Sequence, residues 1–369
     1  MNPKAYWVGF NKIRGIGAVR TKKLLDFFGD LEVAWSASEK SLLDAGLNSK
    51  IVKTIIQTRR TLDVQAEYER ILTKNIHIIT ILDDYYPKKL KTIEQPPPVI
   101  FLKGNICDAD DFSVAIVGTR NLTSYGRQVT HDLAGFLARN NITVISGLAR
   151  GIDSIAHDAA LNAGGRTIAV LGCGVDVVYP PEHRNLSIRI QEKGALISDY
   201  YPGTQPDGQN FPPRNRIISG LSLASVIVEA GERSGALITA EFAANQGREV
   251  FAVPGPIYAI RSKGTNRLIR DGALPLTDFN DLLAALNLDL VEEYRYAKKV
   301  IPREEIEEIL LEVIKEEALH IDEIKNVTGL SMEKVSAALV MMELKGLVRK
   351  TGNVTYASIS DELTEYEAK

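Results

Sequence analysis

The sequence predicts an α/β protein: a parallel β-sheet with helices on both faces, a helix-hairpin-helix domain before it and a winged-helix domain after it. Three observations predict this. From Ser113 onward, short apolar, β-branched runs alternate with helical stretches, the pattern of strands joined by crossover helices. Residues 10–29 read as two helices about a Gly-Ile-Gly turn. Residues 306–357 give three amphipathic helices and then a small hairpin, the order of a winged helix-turn-helix.

At 369 residues the chain should form two or three domains. Its 45% hydrophobic and 25% charged residues are ordinary for a soluble globular protein. It has no run of about eighteen apolar residues, and MNPKAYWVGF lacks a signal-peptide pattern. Cys107 and Cys173 are too few for a disulfide framework and lack zinc-ligand spacing, so a reducing cytoplasm is the expected setting. The net charge of −3 excludes a uniformly basic coat. From Val291 onward 11 Lys and Arg face 17 Asp and Glu, a net of −6, which leaves +3 for residues 1–290. A local basic patch can still hold nucleic acid.

In the front domain, residues 1–65, Thr21, Leu24, Leu25 and Phe28 share one helical face. Gly15 and Gly17 permit a tight turn, and the N–H groups beyond it open a helix. Arg14, Arg20, Lys22 and Lys23 surround it. This looks like a helix-hairpin-helix, a module that grips DNA backbone without reading sequence. Gly15, Gly17, Lys22 and Lys23 are its candidate contacts, although the hairpin could equally be packing scaffold. A fainter copy at 42–50 precedes a helix over Ile51–Gln57. Next come a helix over Glu67–Lys74 and strands over Ile76–Leu82 and Val99–Lys103, separated by Tyr86-Pro87 and Pro96-Pro97-Pro98. Both strands should extend the main sheet at one side, with His77 structural.

Six core strands follow: Val114–Val117, Thr143–Ile145, Thr167–Leu171, Ala195–Ile197, Ser225–Val228 and Val250–Val253. Right-handed crossovers place every loop that leaves a strand at one edge. Arg120, Arg150, Arg214, Arg216, Arg233 and Lys263 would converge there, and Tyr200, Tyr201 and Phe211 could stack bases. The chain is organised around residues 211–240. Here a polar loop with Arg214-Asn215-Arg216 precedes a short helix, a buried strand and the turn Gly231–Gly235. Ser234 should cap the helix Ala236–Gln246 and leave N–H groups for an anion. One of Arg214 and Arg216 is expected to be buried against an acid, Glu229 or Asp199.

Other chemistries find little support. Gly172-Cys-Gly174 begins a dinucleotide fingerprint, but Val177 stands where its third glycine belongs, and no Gly-x-x-x-x-Gly-Lys-[Ser/Thr] occurs. Asp153, His157, Asp176, His183, Asp199, Glu229 and Glu232 have no spacing that marks a metal site or a triad. Asp153 and His157, four apart on a helix, are expected to hydrogen-bond each other. No catalytic residue, cofactor or metal is assigned.

Several of these motifs in one order carry a family resemblance. Val114–Arg120, Ser146–Asp153, Thr167–Pro180, Phe211–Arg216, Ser234–Ala240 and Pro254–Ala273 resemble the DNA-processing family DprA, also called Smf. Many relatives have Ser-Glu-Tyr where this chain has Ser198-Asp199-Tyr200. The resemblance implies an extended Rossmann-like core, over residues 66–286. It also implies a homodimer that binds single-stranded DNA and loads the RecA recombinase during natural transformation, without catalysis. By position, the anion-holding residues would be Gly118, Thr119, Arg120, Ser146, Gly147, Arg150, Arg214, Asn215, Arg216, Ser234 and Gly235. Lys263 and Asn266 would form a rim. A second reading is a nucleotide-phosphate hydrolase like the lysine-decarboxylase-like phosphoribohydrolases, in which Glu229 and Glu241 would act, although the Gly-Gly pair of that family is absent.

Residues 287–301 read as a charged linker and 302–360 as the winged-helix domain. Ile306, Ile309, Leu310, Val313 and Ile314 mark its first helix. Its would-be recognition helix should expose Glu333, Val340, Met341 and Glu343, with only Lys334 and Lys345 basic. The resulting expectation is a protein-contact module rather than a groove reader.

Overall fold

A computed structural model of the protein describes residues 2–286, 305–315, 318–344, 347–352 and 354–358. Two compact units divide after Leu282. The front of the first unit is helical: α1 (Lys4–Lys12), α2 (Ala18–Phe28), α3 (Leu31–Ser36), α4 (Glu39–Asp44), α5 (Ser49–Thr61) and α6 (Val64–Leu72). Short polar side chains set the helix starts. Asp30, Ser38, Asn48 and Asp63 each accept an N–H from the first turn of the helix that follows. Between α1 and α2 the chain reverses at Gly15, whose φ of 98° favours glycine. Phe10 meets Trp35 edge-on at 5.0 Å in the core beneath.

The sheet elements are β1 (His77–Thr80), α7 (Lys88–Lys91), β2 (Val99–Gly104), β3 (Ser113–Val117), α8 (Ser124–Arg139), β4 (Thr143–Ser146), α9 (Ile152–Asn162) and β5 (Thr167–Val170). They continue as α10 (Arg184–Lys193), β6 (Ala195–Ser198), α11 (Phe211–Leu221), β7 (Ala224–Ile227), α12 (Gly235–Asn245), β8 (Glu249–Ala252), α13 (Lys263–Arg270), β9 (Leu274–Pro275) and α14 (Phe279–Ala285). The nine strands lie in the order β1-β2-β6-β5-β4-β3-β7-β8-β9. From β6 to β9 neighbours pair parallel, whereas β2 runs antiparallel to β6 and β1 to β2. The two early strands therefore do extend the sheet at one side, with His77 at the exposed start of β1. The Tyr86 hydroxyl, buried, donates to the Pro97 carbonyl at 2.8 Å and joins the two proline-marked pieces between them. The two-residue β9 was not foreseen; a Leu-Pro pair gives no strand periodicity to read.

Two expectations are corrected. Arg214, Asn215 and Arg216 lie within α11 rather than in a loop, because Pro212 and Pro213 occupy its first turn, where the missing N–H and fixed φ suit a helix start. Asp153 and His157 do not bond each other. The Asp153 carboxylate accepts from the Gly147 and Ala149 N–H groups at 3.2 and 3.3 Å, and His157 Nδ1 meets Thr167 Oγ1 at 2.6 Å. Both side chains are buried, and each is satisfied by a backbone or hydroxyl partner instead.

In the second unit, helices Glu305–Ile314, Ile321–Thr328 and Met332–Leu344 accompany a sheet of β10 (Leu319–His320), β11 (Val348–Gly352) and β12 (Thr355–Ser358) in the order β10-β12-β11. This is a winged helix, with Leu310, Ile314, Ile324, Val335, Leu339 and Met342 in its core. Met341, expected to be exposed, is buried with Ala337, Ala338, Leu339 and Met342. A helix apolar on most sides is covered on most sides, and Glu333, Lys334 and Ser336 form its exposed edge. The expected linker and Lys345 lie outside the described residues.

Candidate nucleic-acid interface

Chain order reverses between β3 and β7, the place where an open parallel sheet leaves a crevice beyond its carboxyl ends. Gly118-Thr119-Arg120 leaves β3 there. The Thr119 N–H donates to the Glu229 carbonyl at 2.8 Å. The Glu229 carboxylate accepts from the Thr123 N–H at 2.9 Å and the Thr123 hydroxyl at 2.5 Å. Thr123 in turn caps α8. Glu229 is therefore a buried brace between the first loop and β7. Two glycines let the neighbouring loops close on one another. A Cβ at Gly118 would lie 2.6 Å from Ile152 Cγ1, and one at Gly151, which has φ 85°, 2.4 Å from the Thr119 carbonyl.

Beneath this loop Arg214 is 5% exposed. Its Nη1 donates to the Gly147 carbonyl at 2.8 Å and to the Val170 carbonyl, and its Nε to Asn215 Oδ1 at 3.3 Å. Burial lowers its pKa against the pull of Asp153, and burial raises that of the Asp153 carboxyl against the pull of Arg214. Gly147 makes room for both, since a Cβ there would stand 2.7 Å from Arg214 Nη2 and 2.8 Å from Asp153 Oδ2. Arg216, two residues on and so on another side of α11, pairs with Asp199 at 2.7 Å. Of the two guanidinium groups, the one paired with an acid is Arg216, half-buried on Asp199, whereas the fully buried one is Arg214, which donates to carbonyls. The Ser146 hydroxyl is also spent, donating to the Ile116 carbonyl at 2.6 Å inside the sheet.

Above these braces opens a cleft of about 670 Å³ lined by Gly118, Thr119, Arg120, Tyr179, Phe211, Asn215, Ser234 and Gly235, with Arg214 contributing from below. The Arg120 guanidinium lies over the Phe211 ring at 5.5 Å, and Tyr179 stacks on Phe211 at 5.7 Å with planes 26° apart. Phe211 was expected as a stacking face; Tyr179 was not, since only its loop was singled out. On the other wall Ser234 Oγ accepts the Ala236 N–H at 3.3 Å and caps α12, as expected. The Leu237 N–H meets the Ser234 carbonyl at 3.1 Å, and the Gly235 N–H, at the first position of the helix, has no carbonyl within it. Nothing lies within 4 Å of a Cβ position at Gly235, so the backbone there is open to a ligand. One cleft thus combines a cation, a stacked ring pair and a helix N-terminus.

The other expected residues stand elsewhere. Arg150 is exposed and pairs with Glu182 at 2.5 Å. Exposed Lys263 lies 3.9 Å from Glu232, and the Asn266 amide clamps both the N–H and the carbonyl of Gly255. Sequence reasoning missed Arg261, whose Nε donates to the Asn121 carbonyl and anchors the end of the first loop. Gly15 and Gly17 line a separate groove beside the helical hairpin, together with Lys23, Tyr200 and Tyr201. Lys22 is exposed, and Lys23 donates to the Gly46 carbonyl at 3.4 Å.

The acids and bases weighed for catalysis are mostly engaged in structure. Asp176 pairs with Lys74 at 2.9 Å, and His183 Nδ1 meets the Leu148 carbonyl at 2.9 Å. His157 is pushed down to about 3, first by burial and then by the charges of His183 and Arg214, so its imidazole is neutral. Glu229 and Glu241 do not meet in one cavity. Glu229 is buried on Thr123, while Glu241 is exposed along a groove between α12 and α13. Among the described residues no group of three or more His, Cys, Asp and Glu is placed to hold a metal.

Residues 77–287 match the family described as DNA recombination-mediator protein A, and residues 297–352 match the DprA winged helix domain. Protein Smf of Synechocystis is 35% identical over 96% of this chain and 98% of its own. The X-ray structure of DNA processing protein A from Streptococcus pneumoniae superposes with a TM-score of 0.69 at 36% identity, covering 77% of this chain and 98% of that one. DNA processing protein A from Helicobacter pylori, described for its single-stranded DNA binding mode, covers 58% of this chain and 96% of its own, with a TM-score of 0.52 and 29% identity.

Proposed function

Since the chain belongs to the DprA/Smf family of DNA recombination-mediator proteins, we propose that it binds single-stranded DNA in the crevice between β3 and β7. The observation that carries this reading is Arg120 over Phe211, with Tyr179 stacked behind, facing the open N-terminus of α12. A nucleotide has a flat base and an anionic phosphate, and this cleft offers a partner to each within one volume. The relative from H. pylori supports the choice of ligand. The cleft binds rather than reacts, because its buried carboxylates are braces. We further propose that the protein acts in the cytoplasm as a homodimer and hands the strand to RecA during natural transformation, as the family resemblance implies.

The test is a salt titration of fluorescent oligo-dT binding. Arg120→Ala should weaken binding and lower the slope of log affinity against log salt by about one. Lys263→Ala, outside the cleft, should do less. Binding unchanged in Arg120→Ala would remove the cleft as the DNA site. The RecA step is read separately, as the rate of RecA assembly on the same oligomer with and without the protein.

A further inference from the structure

We propose that the loop between β8 and α13 is a second platform for the DNA strand, on which bases leaving the cleft stack against Tyr258. This rests on the cleft being the first DNA site. Ile257, Tyr258 and Ile260 are 72%, 91% and 75% exposed, more than any other large apolar side chain among the described residues. Single exposed apolar residues are common on folded proteins, but three within four positions form a patch, and such patches mark binding sites. The loop is not slack chain. The Asn266 amide holds both backbone groups of Gly255, and the Tyr125 hydroxyl donates to the Pro254 carbonyl at 3.1 Å. Within the loop the Ala259 N–H donates to the Pro256 carbonyl and the Ser262 N–H to the Ala259 carbonyl, each at 3.0 Å. A loop fixed in this way presents its side chains at little further cost in conformational entropy.

Its position ties it to the cleft. The Ala230 N–H donates to the Arg261 carbonyl at 2.8 Å, and a Cβ at Gly231 would stand 3.6 Å from the Ile260 carbonyl oxygen. The loop therefore lies against the start of the Gly231–Gly235 turn. On its other side Arg261 Nε donates to the Asn121 carbonyl at the end of the first loop. These two flanking segments carry Arg120, Ser234 and Gly235, which line the cleft. A strand that fills the cleft has the Tyr258 loop next along the sheet edge. Charge decides between a nucleic acid and an apolar protein segment as its partner. Arg120, Arg233 and Lys263 are exposed around the loop, and Glu232, the acid of the flanking turn, lies 3.9 Å from Lys263. Cations beside an exposed ring suit phosphates that alternate with flat bases, whereas an apolar segment would leave those cations with nothing to pair.

The experiment compares wild type, Tyr258→Ala and Tyr258→Trp across a length series of fluorescent oligo-dT, from about 4 to about 30 nucleotides. The Tyr258 side chain touches little of the folded chain, so both variants should keep the wild-type melting temperature. On long oligomers Tyr258→Ala should lose about tenfold in affinity, and Tyr258→Trp should lose none, since its larger ring still stacks. On the shortest oligomers all three should bind alike. The slope of log affinity against log salt should not change in Tyr258→Ala, because a base contact releases no counterion. A long oligomer that is abasic beyond about its first four nucleotides should bind wild type and Tyr258→Ala equally. Equal affinity of wild type and Tyr258→Ala at every length overturns the platform and leaves the apolar loop to a protein partner. A loss that persists on the abasic oligomer overturns it too, because no base is then involved. A loss as large on the shortest oligomers places Tyr258 in the cleft itself and overturns the extension. Arg120→Ala, run in parallel, reads the cleft alone: if short-oligomer binding survives it, the cleft fails, whatever Tyr258→Ala does.

Discussion

At the scale of single residues, His157 shows how a polar group can be central without acting on a ligand. Its Nδ1 bonds Thr167 Oγ1, and that hydroxyl donates to the Val144 carbonyl, so Nδ1 carries the proton and Nε2 lies buried without a partner. The folded state holds the imidazole at about 3, against about 6.5 in an unfolded chain. Below the unfolded value the unfolded state binds the extra proton, so the stability contributed by neutral His157 is whole above pH 6.5 and drains as pH falls toward 3. From this group alone, denaturation at pH 5 should report about 2 kcal/mol less stability than at pH 7.5. His157→Gln should flatten that slope; an equally steep loss in the variant would show that other groups set it. The sequence marked His157 as notable but not its partner, because helical spacing gives neighbours on a face and not the strand beneath. Arg214 teaches the same lesson. Composition identifies an arginine near the edge, but only the rotation of α11 sends it under the sheet loops while Arg216 turns to Asp199.

At the scale of elements, strands and most helices were legible because β-branched runs, prolines and caps are local signals. Each of the six core strands appears within a residue or so of its expected span. What was not legible is which elements share a cavity. The cleft gathers residues from the ends of β3, α11 and α12, and rejects Arg150, Lys263 and Asn266, which lie in the right loops but face elsewhere. Helix α12 allows its two roles to be separated. Ser234→Ala removes the cap and should cost about 1 kcal/mol of stability in a denaturant titration. Ser234→Asp keeps a capping oxygen and sets a negative charge at the mouth of the cleft. It should therefore hold wild-type stability while losing oligo-dT affinity, with the loss largest at low salt. An Asp variant that binds as well as wild type would show that DNA phosphates do not approach the α12 terminus.

At the scale of the whole molecule, charge is divided between the parts of the chain. Residues 1–290 carry +3 and residues 291–369 carry −6. The cleft and the hairpin groove both belong to the first unit. The winged-helix unit exposes Glu333 beside Lys334 on its third helix and buries Met341 and Met342. A groove-reading helix needs basic and hydrogen-bonding side chains on an exposed face, and this one presents few. The acidic balance opposes phosphate at long range, and that opposition is screened as salt rises. A chain ending at residue 290 should therefore bind oligo-dT at least as tightly as the full chain. Any advantage should be greatest at low ionic strength and fade in the range where the Debye length falls below about 10 Å. The number of phosphates contacted, read from the salt slope at high salt, should be the same for both. A truncated chain that binds markedly more weakly, with a shallower slope, would place DNA contacts on the winged helix and make its net charge a poor guide to its surface.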